Sequence, residues 1–266
     1  MKKLIKLFLF VILTAFLAMS CTTYSHYYQV AKVDIADNKT KNIDGNIVFS
    51  DENISILYYF WSINGNVCFT IENKTNKDIT IHLDESFFIH NDIAFDYFQN
   101  RYYMSEKNIS KTVKTINNTL YHSTNQEFIQ NSESTIIKEK EKVVIPPNTK
   151  RIINEFNALT ERYRSCDLLC DYLGSDGLDS ISFTQENTPF SFENKIIYSI
   201  EDTKKIVSNK FYVSNITNFT DEAFMKTRYK KQCPNDSEYD EIEVTEYLQY
   251  APNKCYIMYN TGDGKH

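Results

Sequence analysis

The stretch ISILYYFWSINGNVCFTIE, residues 54–72, contains two runs of β-branched and aromatic residues on either side of Asn64-Gly65. An Asn-Gly pair between two such runs is the strongest short-range indication of a β-hairpin, because both residues tolerate positive φ. From Val67 to Glu72, apolar residues alternate with polar or small ones, which is typical of a strand with one buried face. The stretch therefore predicts two antiparallel strands.

Short runs of the same kind recur on both sides of this hairpin, separated by turns rich in Asn, Asp and Lys. They lie at residues 79–83, 87–89, 93–95, 143–145, 150–156, 182–183, 190–192, 196–198, 211–214 and 255–259. Many short strands with frequent turns are typical of an antiparallel β-sandwich. The sequence therefore predicts a mainly β fold: an immunoglobulin-like antiparallel β-sandwich with a long polar insertion and little helix.

The composition agrees with this fold class. Only 6 Gly and 5 Pro stand beside 19 Tyr and 18 Phe, which favours strands over a glycine-rich nucleotide-binding fold. The formal net charge is −6, and loss of an N-terminal segment with three lysines would leave about −9. An acidic domain does not bind nucleic acid through its phosphates, so we expect no nucleic-acid partner.

Four regions are predicted along the chain. Residues 1–20 read as a signal peptide, and residues 21–46, which are polar and rich in Tyr, read as a tether. Residues 47–266 are predicted to form a single β-sandwich domain. Within this domain, residues of about 105–142 have few apolar side chains, so they are predicted to be a polar insertion or loop, with or without a short strand or helical turn.

The N-terminal segment predicts export and lipid attachment. A basic start, Met1 to Lys6, precedes the apolar run LFLFVILTAFL at 7–17, which is short for a membrane-spanning helix. It ends in Ala18-Met19-Ser20-Cys21, which resembles the lipobox of bacterial lipoproteins. The resemblance implies cleavage before Cys21, acylation of this residue, and membrane lipid as a partner. A plain secretory signal with a chance cysteine is the alternative.

Several further segments carry a wider resemblance. They are residues 21–24 (CTTY), 27–30 (YYQV), 73–79 (NKTNKDI), 86–89 (SFFI), 96–101 (DYFQNR), 145–147 (IPP), 166–168 (CDL) and 211–214 (FYVS). Together they resemble uncharacterised lipoproteins of Bacteroides-like bacteria over nearly the whole chain after Cys21. The resemblance implies lipidation and a cell-envelope location, and it implies no catalytic residue.

The side of the membrane follows from the charges after Cys21. In surface-exported lipoproteins of such bacteria, acidic residues closely follow the lipidated cysteine. Here the first acidic residue is Asp34. We therefore expect attachment to the outer membrane, with the periplasmic face favoured over the cell surface.

Five cysteines remain beside Cys21, so at least one thiol is expected to stay free. Cys68 lies in an apolar strand and is predicted to be a buried thiol. The other four, Cys166, Cys170, Cys233 and Cys255, allow three complete disulfide pairings. A Cys166–Cys233 disulfide is favoured because it would close a long loop. A zinc site made of these four residues is disfavoured by their irregular spacing.

Residues with metal-binding or catalytic chemistry are few. His82, Asp84 and His90 could form a metal cluster, but strand alternation places His82 and Asp84 on a solvated face, so no metal site is predicted. The chain contains no Gly-x-Ser-x-Gly, phosphate-binding or His-Glu-x-x-His motif, so no catalytic residue and no cofactor are assigned. An enzyme acting on envelope glycans would need two carboxylates brought together from the acids Glu52, Asp84, Glu85 and Asp96.

Mixed aromatic and polar runs are the strongest indication of a binding role. Residues 58–61 and 96–103 contain the candidate ligand-binding aromatics Tyr59, Trp61, Tyr97 and Tyr102, although half of the residues on an alternating strand belong to the core. The sequence thus favours a non-enzymatic interaction or structural module that binds another envelope protein or a polymer. A cell-surface glycan-binding lipoprotein is the alternative.

Overall fold

The computed structural model describes residues 26–118, 123–231 and 241–260. In chain order its strands are β1 (His26–Ile35), β2 (Lys41–Ile43), β3 (Asn46–Ser50), β4 (Ile54–Tyr59), β5 (Asn66–Asn73), β6 (Ile79–His82), β7 (Phe87–His90), β8 (Ile93–Asp96), β9 (Tyr102–Asn118), β10 (Ser123–Lys138), β11 (Lys142–Ile145), β12 (Lys150–Asn157), β13 (Leu178–Ser182), β14 (Ser191–Ile200), β15 (Thr203–Thr220), β16 (Met225–Lys231), β17 (Glu241–Tyr247) and β18 (Lys254–Asn260). Within the described ranges, helix is limited to α1, Asp221–Phe224, and a 3₁₀ turn at Leu83–Glu85.

The strands form two main antiparallel sheets. The larger, nine-stranded sheet has the order β11-β6-β14-β15-β1-β18, with β13 beside β15 and the β7–β8 hairpin beside β14. The smaller sheet has the order β12-β5-β4-β3-β2. The sheets curl into a half-barrel, which confirms the mainly β, antiparallel prediction with little helix. The immunoglobulin-like part of that prediction is not confirmed.

The larger of two buried hydrophobic clusters in the described residues lies between the two sheets. Ile56 and Phe69 from the smaller sheet belong to the same buried cluster as Ile81, Phe192 and Val213 from the larger sheet. Burial alternates strictly along β5, as its sequence pattern predicts. The smaller sheet thus directs one face inward, whereas the larger sheet is also covered on part of its other face, where a second buried cluster contains Tyr28, Trp61 and Phe224.

The hairpin predicted at residues 54–72 is present, but its connection is longer than a tight turn. Strands β4 and β5 pair from Ile54 opposite Asn73 to Tyr59 opposite Cys68. After Tyr59 the chain leaves the ladder, and residues 60–65 form the connection. Asn64 and Gly65 both have a φ of 60°, as an Asn-Gly turn requires.

The predicted tether at 21–46 is wrong from His26 onward. Strand β1 lies inside the larger sheet, between β15 and β18, and the side chains of Val30, Ala31 and Val33 are buried. Burial does not alternate along β1, because this central strand is covered on both faces, so its sequence lacks the period of a half-buried strand. Residues 1–25, including Cys21, lie outside the described residues.

The polar insertion forms a β-hairpin. Strands β9 and β10 pair with each other from Tyr102 opposite Lys138 to Asn118 opposite Ser123, so the insertion has extended backbone and begins three residues earlier than predicted. The carboxylate of Glu139 closes its base, because it accepts hydrogen bonds from the backbone N–H of Arg101 and from its guanidinium, with distances of 2.9 and 2.6 Å. A polar insertion or loop, with or without a short strand, was predicted here. The structure instead has two long strands, because the two polar segments pair with each other.

Candidate functional site

A groove of about 530 Å³ opens where the edge strand β12 of the smaller sheet approaches β7, β8 and β18 of the larger one. Its apolar wall consists of Phe88, Phe95, Phe156, Leu159 and Ile257. Its polar lining consists of Asn64, His90, Glu155, Asn157, Thr160, Glu161 and Arg162. A concave, largely apolar surface with a few polar groups is typical of a ligand-binding site.

A β-bulge brings two of these side chains into the groove. The register of β12 against β5 shifts between Asn154 and Asn157, so the alternation of side chains is broken there. Glu155 and Phe156, which are neighbours in the sequence, consequently both line the groove. Strand alternation alone would have placed them on opposite faces of the sheet, and for this reason sequence reasoning did not identify them.

Three phenylalanines of the apolar wall form an aromatic cluster, and one of them, Phe95, is exposed. Phe88 and Phe156 are stacked with ring centroids 4.9 Å apart, and Phe95 lies 6.2 Å from Phe156. Phe88 is buried, whereas Phe95 is 44% exposed. The ring of Phe95 is therefore available to an apolar surface or to the face of a sugar ring.

Charged side chains are held in place around this aromatic wall. The guanidinium of Arg162 lies 4.3 Å from the ring centroid of Tyr259, a cation–π contact. Glu155 forms an ion pair with Arg101 at 2.7 Å. Buried His90 is bonded through Nε2 to the carbonyl oxygen of Ala158 at 3.0 Å. The groove thus offers one positive side chain, Arg162, and two negative ones, Glu155 and Glu161, of which Arg162 and Glu155 are held by these contacts. His90 acts as a structural support.

Two of the four aromatic candidates are core residues. Trp61 is 9% exposed and Tyr97 is 1% exposed, so their selection as exposed ligand-binding residues is corrected. Trp61 lies in the connection that leaves the β4–β5 ladder, where it packs against Phe224 and Tyr256. Tyr97 follows β8 and directs its hydroxyl to buried Asn194, with an O···O distance of 2.7 Å.

The other two aromatic candidates are accessible but separate from the groove. Tyr59 is 39% exposed on the outer face of β4, and Tyr102 is 65% exposed at the start of the inserted hairpin. Neither residue lines the groove. The structure therefore does not bring the four predicted aromatics together, and the exposed aromatic of the groove is Phe95.

The cysteine predictions have mixed outcomes. Cys68 is half-buried rather than buried, and the fully buried thiol is that of Cys255. Burial raises the pKa of Cys255 to about 12. No disulfide joins the cysteines within the described ranges, where Cys166 is exposed and Cys170 half-buried. Because Cys233 lies outside those ranges, the Cys166–Cys233 disulfide stays a prediction.

The histidines and carboxylates predicted as candidates do not all lie in one site. His82 is buried, which corrects its placement on a solvated face, and it lies with Asp84 and Glu85 rather than with His90. Glu52 is paired with Lys205 at 2.9 Å, and Asp96 lies on exposed β8. None of the four predicted carboxylates lines the groove.

No helix among the residues that the structure describes is long and apolar enough to cross a membrane. In comparisons with known proteins, no family model, no curated protein and no solved structure matches this chain.

Proposed function

We propose that this protein is a lipid-anchored envelope module that binds a partner in the groove between its sheets. The groove supports this proposal because it combines an accessible aromatic wall with fixed charges. The sequence motif at Cys21 supports the lipid anchor, and the resemblance to envelope lipoproteins agrees with it. The proposed role is binding rather than catalysis, and no cofactor is part of it.

The position of β1 supports attachment close to the membrane. His26, the first residue of β1, follows Cys21 by five residues. A fully extended chain covers at most about 3.5 Å per residue, so the start of β1 would lie within roughly 18 Å of Cys21. Two or three acyl chains hold such a domain stably at the bilayer.

Fractionation of cells tests the anchor. We expect the wild-type protein to stay in the membrane pellet after an alkaline wash and Cys21→Ser to be released. Cys166→Ser is the matched control, because it removes an exposed thiol outside the lipobox. If Cys21→Ser still sediments with membranes, the lipoprotein proposal fails.

Site-specific cross-linking tests the groove. A photoreactive residue at Glu161, on the groove's lining, should give a discrete cross-linked product in intact cells. Phe95→Ala should abolish that product, because it removes the accessible aromatic surface. A photoreactive residue at exposed Lys39, outside the groove, is the control. A product that persists unchanged in Phe95→Ala would exclude the groove as the binding site.

Envelope glycan is the second candidate ligand, and the exposed ring of Phe95 beside Glu155 and Arg162 favours it. Aromatic faces stack on sugar rings, while carboxylates and guanidinium groups bond to hydroxyls. Titration with soluble peptidoglycan fragments and with capsular oligosaccharides should reveal binding that Phe95→Ala weakens at least tenfold. Tyr102→Ala, an exposed aromatic outside the groove, should leave the affinity unchanged.

The proposed location is the outer membrane with the domain in the periplasm, and protease treatment of intact cells tests it. Protection until lysis, alongside a known periplasmic protein, is the expected result. Digestion on intact cells would instead place the domain at the cell surface and favour the glycan-binding alternative.

A further inference from the structure

A second cluster of functional groups lies away from the groove, at the end of β6. His82 is the last residue of β6, and the 3₁₀ turn that follows it contains Asp84 and Glu85. One ligand-type atom from each of the three side chains lies within 4.8 Å of the other two. One imidazole nitrogen and two carboxylates form a mixed donor set that suits zinc and related transition-metal ions.

The imidazole of His82 provides an independent observation at this cluster. Its ring is more than nine-tenths buried, and Nδ1 has no hydrogen-bond partner among the described residues. This atom lies 3.8 Å from Glu85 Oε1, so it faces the Glu85 carboxylate. A buried nitrogen without a partner is costly unless another group satisfies it. A cation held between Nδ1 and the carboxylates would do so.

The other ring nitrogen of His82, Nε2, has a hydrogen-bond partner, as it commonly does in protein metal sites. His82 Nε2 lies 2.9 Å from the hydroxyl oxygen of Ser199 on the neighbouring strand β14. When Nε2–H donates to this hydroxyl, Nδ1 keeps its lone pair and lies 3.8 Å from Glu85 Oε1. Metal-binding histidines commonly donate their second N–H to such a partner, which orients the ring.

We propose that His82 Nδ1, Asp84 and Glu85 bind a divalent transition-metal cation, with zinc as the best-suited ion. Three protein ligands leave a coordination position for water or for a ligand atom. The proposal is independent of the groove and of the lipid anchor.

One basic side chain competes for the same carboxylate. Lys204 Nζ lies 2.6 and 2.8 Å from the two carboxylate oxygens of Glu85. A metal ion must displace or rearrange this ammonium group before Glu85 can bind it. Removing the lysine charge should therefore tighten metal binding, whereas a structural role of His82 alone predicts no such effect.

Titration with Zn²⁺ alone, by calorimetry and equilibrium dialysis, tests the proposal. We expect His82→Gln to weaken Zn²⁺ binding at least tenfold and Lys204→Met to strengthen it at least threefold. His26→Gln and Lys205→Met are the matched controls. His26 is an exposed histidine bonded to Asn260, and Lys205 is the adjacent lysine, paired with Glu52. Both controls should bind Zn²⁺ as the wild type does.

Several outcomes would overturn the proposal. They are the absence of Zn²⁺ binding by the wild type, equal binding by His82→Gln, and unchanged binding by Lys204→Met. Circular dichroism and thermal unfolding show whether His82→Gln is folded. If this variant does not fold, Asp84→Asn replaces it, because Asp84 lies in the 3₁₀ turn, where no residue is buried. Asp84→Asn should likewise weaken Zn²⁺ binding about tenfold.

Discussion

At the scale of single residues, a buried hydrogen-bond network explains why the tyrosines Tyr58 and Tyr97 lie in the core. Tyr58 OH donates to Asn209 Oδ1 and accepts from Asn194 Nδ2, both at 2.8 Å. Asn209 in turn donates to the hydroxyl of Thr40 at 2.9 Å. Tyr97 donates to Asn194. The network links the two sheets across the core, so these tyrosines carry polar bonds that an apolar core residue could not supply.

Removal of the central hydroxyl is the first test. We expect Tyr58→Phe to lower the free energy of unfolding by about 2–3 kcal/mol, because Asn209 Oδ1 and Asn194 Nδ2 both lose a buried partner. Tyr172→Phe, at a residue that is 90% exposed, should change it by less than about 0.5 kcal/mol. Urea unfolding followed by circular dichroism measures both. Equal stability of the two variants would contradict the role of the network.

We expect the cysteines to differ in reactivity because their thiols differ in burial. The thiol of Cys255 is fully buried, lies 3.8 Å from the carbonyl oxygen of Ala31, and has its pKa raised to about 12 by burial. Since the thiolate is the reactive form, Cys255 should resist alkylation in the native protein. Exposed Cys166 should react first after mild reduction.

Mass spectrometry of alkylated peptides measures this difference. Cys255 should become labelled only when denaturant unfolds the chain. If Cys255 is labelled in native buffer as fast as Cys166, the burial of Cys255 is contradicted. The same peptides, prepared without reduction, show whether Cys166 and Cys233 are joined.

At the scale of secondary structure elements, the inserted hairpin behaves as an appendage. In the described part of the chain, β9 and β10 pair only with each other. Glu139 lies at the junction, where hydrogen bonds from Arg101 and from the backbone N–H of Gln99 outweigh the effect of burial and lower its pKa. The contacts of Glu139 therefore hold the two ends of the hairpin together where it joins the rest of the domain.

Excision of the hairpin tests this arrangement. Tyr103 lies opposite Ile137, so an Asn-Gly turn can join them in place of residues 104–136. We expect the shortened chain to fold with an unfolding free energy within about 1 kcal/mol of the wild type, because shorter loops cost less entropy to close. Adding Glu139→Gln to the shortened chain should destabilise it further by about 1–3 kcal/mol, since buried hydrogen bonds to a charged group are weakened. A shortened chain that does not fold would show that the hairpin supports the core.

At the scale of the whole molecule, the position of β1 orients the proposed lipid anchor. Strand β1 starts at His26 and ends at Ile35, and at about 3.4 Å per residue its two ends lie roughly 30 Å apart. A lipid on Cys21 would hold the His26 end near the bilayer. The loop after Ile35, which contains Lys39, would then lie farther from it.

Fluorescence quenching in liposomes tests this orientation. In the acylated protein, nitroxide lipids should quench a fluorescent amino acid at position 26 strongly and one at position 39 weakly. Insertion of twelve Gly and Ser residues between Cys21 and His26 should reduce the quenching at position 26, because a flexible linker of this length lets the domain move away. Equal quenching at positions 26 and 39 would contradict the short attachment.

The local pattern of the sequence determined the class of the fold. Alternation in β5 and the Asn-Gly pair predicted the hairpin of the smaller sheet, because strand periodicity and turn chemistry depend on neighbouring residues. Motif and composition likewise support the proposed anchor at Cys21. These properties are short-range, so one chain without its tertiary contacts is enough to read them.

The candidate sites were decided by tertiary structure. The bulge in β12 brings Glu155 and Phe156 into the groove, the exit of the chain after Tyr59 buries Trp61, and β14 and β15 bring Ser199 and Lys204 to His82 and Glu85. Each of these events depends on residues distant in the sequence, or on a break in the regular period. Alternation specifies which residues share a face of a strand, whereas pairing and packing between strands determine which faces meet.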